Sequence, residues 1–213
     1  MTVEHNSREL ANMEVLSARL LHDVAGSIGS VISYVECVLD DPGSEDVRNC
    51  LEEALEGMVS RFRLMRQAYS ASEDNASFSN TKDHVEQYLK RRGVDLSAWQ
   101  IDVQFADVEF VEKVNKLVVQ AVLFSAMVMV KGRGISVTVS ESKNVVNIRL
   151  VLDAEEVSVH KDIEWIMSDI GGRVLTTHNV QAYFMFLLCE EHKAEFRYDM
   201  DARTVEIALL AQP

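Results

Sequence analysis

Apolar residues recur every three or four positions through residues 10–69, which predicts two amphipathic helices. The stripe of the first helix is Leu10, Met13, Leu20 or Leu21, Val24, Ile28, Val31, Val35 and Val38. The stripe of the second is Val47, Leu51, Ala54 or Leu55, Met58, Phe62, Met65 and Tyr69. Between them, residues 40–44 (Asp-Asp-Pro-Gly-Ser) supply a turn, and Ser44 is positioned to cap the second helix. So short a connection predicts an antiparallel hairpin.

Two helices that pack only against each other cannot bury both of these apolar stripes completely. The simplest completion is a homodimer in which two hairpins form a four-helix bundle.

A polar segment, Ser70–Asn80, predicts a linker between the hairpin (residues 1–74) and a second domain (residues 75–213). In the second domain, helical periodicity alternates with the two-residue alternation of strands. Helices are predicted near 82–91, 109–130, 160–169 and 180–191, and strands near 99–105, 135–140, 145–152, 194–198 and 204–209. The fold class is therefore α+β, with the second domain a sandwich of helices and a largely antiparallel sheet.

His22 lies off the apolar stripe of the first helix, next to Asp23, which is placed to orient its ring. Small residues and one arginine surround it at helical spacing: Ala18, Arg19, Ala25, Gly26 and Gly29. Each glycine inside a helix costs about 1 kcal/mol relative to alanine, which suggests a packing or docking reason. An imidazole is largely neutral and nucleophilic near pH 7, so this arrangement suits a phosphoryl acceptor that a partner approaches closely. Arg19 is predicted to neutralise phosphate charge.

Folding the hairpin at Pro42–Gly43 places residue 63 level with residue 22, which brings Arg61, Arg63 and Arg66 near the height of His22. We include Arg63 and Arg66 with Arg19 and the small residues in a predicted partner-binding surface. A solvated arginine face is the alternative for each of them.

Three segments resemble the ChpT-type bacterial histidine phosphotransferases. They are residues 17–29 (Ser-Ala-Arg-Leu-Leu-His-Asp-Val-Ala-Gly-Ser-Ile-Gly), residues 63–69 (Arg-Leu-Met-Arg-Gln-Ala-Tyr) and residues 179–183 (Asn-Val-Gln-Ala-Tyr). The similarity runs from about Ser17 to the end of the chain. At the position of Ser27 the family commonly has proline.

The resemblance implies a dimerisation and phosphotransfer hairpin followed by a domain that is similar to the ATP-binding domain of histidine kinases and no longer binds ATP. It implies that His22 accepts a phosphoryl group and passes it between aspartates of receiver domains. Those partners would be the receiver of a hybrid histidine kinase and the receivers of response regulators, which supply the Mg²⁺ ion.

The residues of the second domain favour the loss of ATP binding. By rough alignment on residues 132–135 (Gly-Arg-Gly-Ile), the metal-bridging asparagines of such kinases are replaced by Gln120 and Phe124. Asp153 is followed by Ala-Glu-Glu-Val instead of glycines, and residues 176–180 (Thr-Thr-His-Asn-Val) contain no glycine lid. The pair Gly171–Gly172 is interpreted as a helix stop. Autokinase activity and bound ATP are therefore not expected.

Composition excludes several other classes. A net charge of −13 disfavours nucleic acid and anionic membranes as partners. The apolar run Val118–Val130 is too short to span a membrane, the N-terminus is too polar for a signal peptide, and three cysteines without a pairing pattern suit a reducing compartment. A cytoplasmic protein is expected. Cys189 and His192 have metal-ligand spacing, but the apolar residues before Cys189 indicate a core position and no metal.

Three functions remain open at the level of the sequence. The first is a phosphorelay phosphotransferase acting through His22. The second is a non-catalytic module that binds a receiver or a kinase without accepting phosphate. The third is an active histidine kinase, which the missing phosphate loops disfavour.

Overall fold

The computed structural model describes residues 2–105, 107–168 and 174–211. Its helices are α1 (Thr2–Asp40), α2 (Glu45–Tyr69), a 3₁₀ helix (Glu73–Ala76), α3 (Phe78–Lys90), α4 (Val108–Val128), α5 (Lys161–Ser168) and α6 (Val180–Glu191). Its strands are β1 (Asp95–Asp102), β2 (Met129–Ser142), β3 (Val145–Val157), β4 (Glu195–Asp199) and β5 (Thr204–Leu210). The predicted α+β fold class is confirmed. The predicted helix stop at Gly171–Gly172 lies outside the described residues.

The first two helices form the predicted hairpin. The Ser44 side chain accepts a hydrogen bond from the backbone N–H of Val47, which caps α2 as the sequence indicated. Helix α1 is continuous through Ser27, whose hydroxyl donates to the carbonyl oxygen of Asp23.

The segment Ser70–Asn80, interpreted from its polar composition as a linker, is folded. It contains the 3₁₀ helix and the start of α3, and Asn75 enters buried hydrogen bonds through both its side chain and its backbone. The Asn75 side chain donates to the carbonyl oxygen of Gln67, and Asn115 donates to the carbonyl oxygen of Asn75. The polar composition of the segment is typical of a linker. It does not reveal that such side chains hydrogen-bond to backbone groups of neighbouring helices.

Five strands form one mixed sheet in the order β1-β2-β3-β5-β4. Strand β1 pairs parallel with β2, and the other pairs are antiparallel. Alternating residues of β2, β3 and β5 point into the core, including Val137, Ile148 and Ile207. Helices α3, α4 and α6 cover this face, and the hairpin packs on the helical layer. Helix α4 ends two residues earlier than predicted because Met129 and Val130 pair with β3.

An apolar face of the hairpin stays exposed in the single chain. It consists of Leu10, Met13, Leu21, Ile28, Ile32, Val35 and Leu39 on α1 and Leu55, Val59 and Phe62 on α2. We call this set the hairpin face. Large apolar side chains exposed together along two neighbouring helices, rather than singly, mark an interaction surface.

One helix is long and apolar enough to cross a membrane by length and composition, from Glu9 to Asp40, and 6% of its most apolar window is buried. The sequence analysis considered only uninterrupted apolar runs as possible membrane spans. It therefore did not consider α1, whose apolar residues alternate with polar ones. Length and composition alone do not distinguish a membrane-spanning helix from a helix that binds another protein.

Candidate functional site

His22 stands on the surface of α1 with an 82% exposed side chain, whereas the neighbouring Asp23 side chain is only 8% exposed. The imidazole Nδ1 lies 3.5 Å from Asp23 Oδ1. Nδ1 thus faces the carboxylate, and Nε2 is on the other edge of the exposed ring. The separation is longer than a normal hydrogen bond, as is common at sites that tighten only when the partner binds.

The buried carboxylate of Asp23 is compensated by two guanidinium groups. Arg19, one turn before it, donates from Nε to Oδ2 at 3.0 Å. Arg61 of α2 lies 3.7 Å from Oδ1 through Nη2. A buried carboxylate requires such partners, and here they come from both helices of the hairpin. The site therefore holds one negative and two positive side chains beside the histidine.

Arg19 also reaches the C-terminal domain. Its Nη1 donates to the carbonyl oxygen of Thr177 at 3.1 Å, just before α6. Burial strongly raises the pKa of Tyr69 at the end of α2, and the nearby charges of Arg19, which lowers this pKa, and Asp23, which raises it, have smaller effects. No sequence signal pointed to Thr177, because the contact uses its backbone.

The predicted small residues do lie on the exposed surface around His22: Ala18, Ala25, Gly26 and Gly29. A Cβ atom added at Gly26 or Gly29 would meet nothing within 4 Å. Packing within the single chain therefore does not account for glycine at these positions, which leaves the docking explanation standing.

The three arginines of α2 that were predicted near the height of His22 have different surroundings. Arg61 is the one that reaches Asp23, and its Nε is buried without a hydrogen-bond partner. Arg66 pairs with Asp74 instead. Arg63 is exposed and lines a cleft between α2 and α3 together with Gln87 and Lys90. The predicted hairpin pairing places all three arginines near the height of His22. The structure shows that Arg61, rather than Arg63 or Arg66, contacts Asp23.

Gln120 and Phe124, the two residues predicted to stand in place of kinase asparagines, both pack in the core. Gln120 is fully buried; its amide donates to the carbonyl oxygen of Ala68 at 2.8 Å and its Oε1 accepts from Gln181 at 2.7 Å. Phe124 is also fully buried, with its ring centroid 5.2 Å from that of Phe196. Asp153 is exposed on β3. Both side chains on this face of α4 are thus taken up by internal packing.

Cys189 is a core residue, and burial raises the pKa of its thiol to about 12. His192 ends α6, and its pKa is lowered, mainly by burial. Within the part of the chain that the structure describes, no group of three or more His, Cys, Asp or Glu side chains has the arrangement of a metal site.

Comparison with known proteins agrees with this geometry. The family model described as the histidine phosphotransferase C-terminal domain matches residues 78–204, which is more than half of the chain. The protein therefore belongs to the histidine phosphotransferase family. Comparison with curated protein sequences gives no match.

Among solved structures, the chain is similar to a bacterial phosphotransferase, with a TM-score of 0.78 and 16% identity over 93% of this chain and 95% of that one. A blue-light activated histidine kinase of Erythrobacter litoralis EL346 has a TM-score of 0.49 and 12% identity, over 89% of this chain and 59% of that one. The first similarity shows that the whole fold, hairpin and C-terminal domain together, is that of a phosphotransferase structure. Membership of this family places the chain in two-component phosphorelay signalling.

Proposed function

We propose that this protein shuttles a phosphoryl group between aspartates of receiver domains through His22. The observation that carries the proposal is an 82% exposed imidazole whose Nδ1 faces a buried carboxylate. In this arrangement Asp23 favours the proton on Nδ1, so that the lone pair of Nε2 is free to attack.

In the forward step, Nε2 attacks the phosphorus of an aspartyl phosphate on the receiver. The bond from phosphorus to the aspartate oxygen breaks, a bond from phosphorus to nitrogen forms, and the aspartate leaves as carboxylate. The ring gains positive charge, which Asp23 stabilises across Nδ1. The receiver supplies Mg²⁺ for the phosphoryl oxygens, and the same steps in reverse load a second receiver. This chain contributes the nucleophile, its orientation and a docking surface.

The docking surface of this proposal is the open patch formed by Ala18, Ala25, Gly26 and Gly29. Small side chains allow the loops around the receiver's aspartate to bring phosphorus within reach of Nε2. Arg63 and Arg66 stay in the proposed partner-binding surface, at its edge on α2. Arg61 joins it because of its contact with Asp23.

We also propose that the hairpin face closes a homodimeric four-helix bundle. Its apolar residues continue from α1 onto α2, where Leu55, Val59 and Phe62 are exposed. Helix α2 also carries many acidic residues near the hairpin tip, including Glu52, Glu53 and Glu56, which a bilayer would not accept. A second copy of the hairpin covers the apolar residues and leaves these charges in water, which fits a cytoplasmic protein.

The C-terminal domain is proposed to bind no ATP. The buried hydrogen bonds of Gln120 and the aromatic packing of Phe124 support this, because a nucleotide would have to displace both. We infer that the chain is a phosphotransferase without autokinase activity.

One experiment separates the three functional alternatives. The chain is mixed with a panel of receivers that carry ³²P-labelled aspartyl phosphate, and the label on the chain is tested for stability. A relay protein acquires label that is labile in acid and stable in base, as expected for phosphohistidine. A binding module would form complexes without acquiring label, and labelling by ATP alone would indicate a kinase.

A further inference from the structure

The guanidinium of Arg19 connects the acceptor helix to the C-terminal domain. Its Nε donates to Asp23 Oδ2 at 3.0 Å, and its Nη1 donates to the carbonyl oxygen of Thr177 at 3.1 Å. Arg19 therefore spans the segment that precedes α6 and the residue next to His22.

The two oxygens of Asp23 have separate partners. Oδ2 accepts from Arg19, whereas Oδ1 faces His22 Nδ1 at 3.5 Å and Arg61 at 3.7 Å. A carboxylate held at one oxygen has a fixed rotation, so the bond from Arg19 determines that the other oxygen faces the imidazole. The order of contacts runs from Thr177 through Arg19 and Asp23 to His22.

Two further contacts between the hairpin and the C-terminal domain lie deeper in the fold. Gln120 joins Ala68 to Gln181 inside the core, and the rings of Tyr69 and Phe184 are 4.9 Å apart. The bond from Arg19 to Thr177 is solvent-exposed and lies beside the acceptor. Because water competes for an exposed bond, this is the contact between the two parts that a change at Asp23 alters most easily.

We propose that Arg19 is a positioning residue rather than a group that neutralises the phosphoryl charge. It holds Asp23 in the rotation that orients His22, and it holds residues 174–179 beside the acceptor. This inference rests on the proposed function of His22, and it assigns the C-terminal domain a part in shaping the site. Lysine cannot replace the guanidinium here, because its single ammonium group lacks the planar fork that reaches two acceptors in fixed directions.

The test compares Arg19→Met, Arg19→Lys and Asp23→Asn in the full-length protein. Arg48→Met is the matched control, since Arg48 also donates to a backbone carbonyl, that of Pro42 at the hairpin tip. Two measurements are made without phosphate: the ¹⁵N chemical shifts of the His22 ring, which report its tautomer, and amide hydrogen exchange of residues 174–179. Phosphotransfer from a labelled receiver is measured separately.

In Arg19→Met we expect loss of the Nδ1–H tautomer, exchange in residues 174–179 faster by about 5-fold, and phosphotransfer slower by about 10-fold, as suits one charge-assisted hydrogen bond. Arg19→Lys should resemble Arg19→Met, although it keeps the charge. Asp23→Asn should also accelerate exchange in residues 174–179, which Asp23 does not contact, and Arg48→Met should change none of these values.

The proposal is overturned if Arg19→Lys behaves as the unmodified protein, because charge alone would then suffice. Unchanged exchange in both Arg19→Met and Asp23→Asn would overturn it as well. If instead no variant, nor the unmodified chain, accepts phosphate at His22, the proposed function fails while the tautomer and exchange results still decide the role of Arg19.

Discussion

The hairpin and the C-terminal domain differ in how far their key side chains are exposed to solvent. In the hairpin, Ile28 and Phe62 are 43% and 57% exposed, and the His22 side chain stands in solvent. In the C-terminal domain, Gln120 and Phe124 of α4 are fully buried. The comparison shows that the hairpin leaves apolar side chains and the proposed phosphoryl acceptor open to other molecules, whereas Gln120 and Phe124 of the C-terminal domain are used for internal packing.

The largest effect is expected at the hairpin face. Phe62→Asp or Ile28→Asp should convert the proposed dimer into monomers, because burying an unpaired carboxylate in the bundle costs several kcal/mol. Since both residues are exposed in the single chain, the monomer should stay folded. Light scattering with circular dichroism measures both properties, and Val108→Asp, at an exposed position on α4, is the control. A variant that remains a dimer would contradict the role of this face.

The buried amide of Gln120 gives the next effect, in the other region. Gln120→Leu leaves the carbonyl oxygen of Ala68 and the amide of Gln181 without partners, at about 1–3 kcal/mol for each buried group. Chemical denaturation should show this loss, whereas Gln87→Leu, on the exposed face of α3, should be close to neutral. Equal stability of the two variants would mean that Gln120 does not hold the hairpin to the domain.

Gly26→Leu should separate stability from activity within the hairpin. The substitution should stabilise α1 by about 1 kcal/mol through helix propensity, since no atom lies within 4 Å of an added Cβ. It should also slow phosphotransfer by about 10²-fold, because added bulk keeps the receiver from reaching His22. Asn49→Leu, on the exposed surface of α2, is the control for propensity. Normal transfer would make the small patch incidental, and lower stability would indicate that Gly26 packs against a neighbour.

Acid should weaken the junction between the two regions. His84 Nδ1 lies 2.9 Å from Gln67 Oε1 in the buried network below α2, and the pKa of His84 is lowered chiefly by burial. Asp74 and Asp83 raise this pKa, while Arg63 and Arg66 lower it.

Because the folded state binds a proton at His84 less readily than the unfolded state, the contribution of His84 to stability is present above pH 6.5 and is lost as pH falls through the lowered pKa. Urea midpoints measured from pH 7.5 to 5 should decline, and part of the slope should vanish in His84→Gln. An identical slope in both proteins would contradict this assignment.

Sequence patterns predicted the elements whose physics is local. The spacing of apolar residues located both hairpin helices, and the hairpin turn correctly brought α2 arginines to the height of His22. The patterns failed where a side chain acts on distant backbone: Asn75 and Asn115 appear as ordinary polar residues, yet both enter buried bonds across the segment 70–80. Likewise, the sequence does not tell which of Arg61 and Arg63 reaches Asp23. The two residues point to different sides of α2, and the packing of α1 against α2 decides which side faces Asp23.

The most direct test of the proposed relay is His22→Gln, assayed for label from a phosphorylated receiver and for thermal unfolding. We expect complete loss of labelling with a change in stability below about 0.5 kcal/mol, since the side chain is 82% exposed. Asp23 and the hairpin face remain intact in this variant, so the dimer should persist. Labelling that persists in His22→Gln would show that phosphate resides elsewhere, and a stability loss of several kcal/mol would show that His22 belongs to the packing of the hairpin.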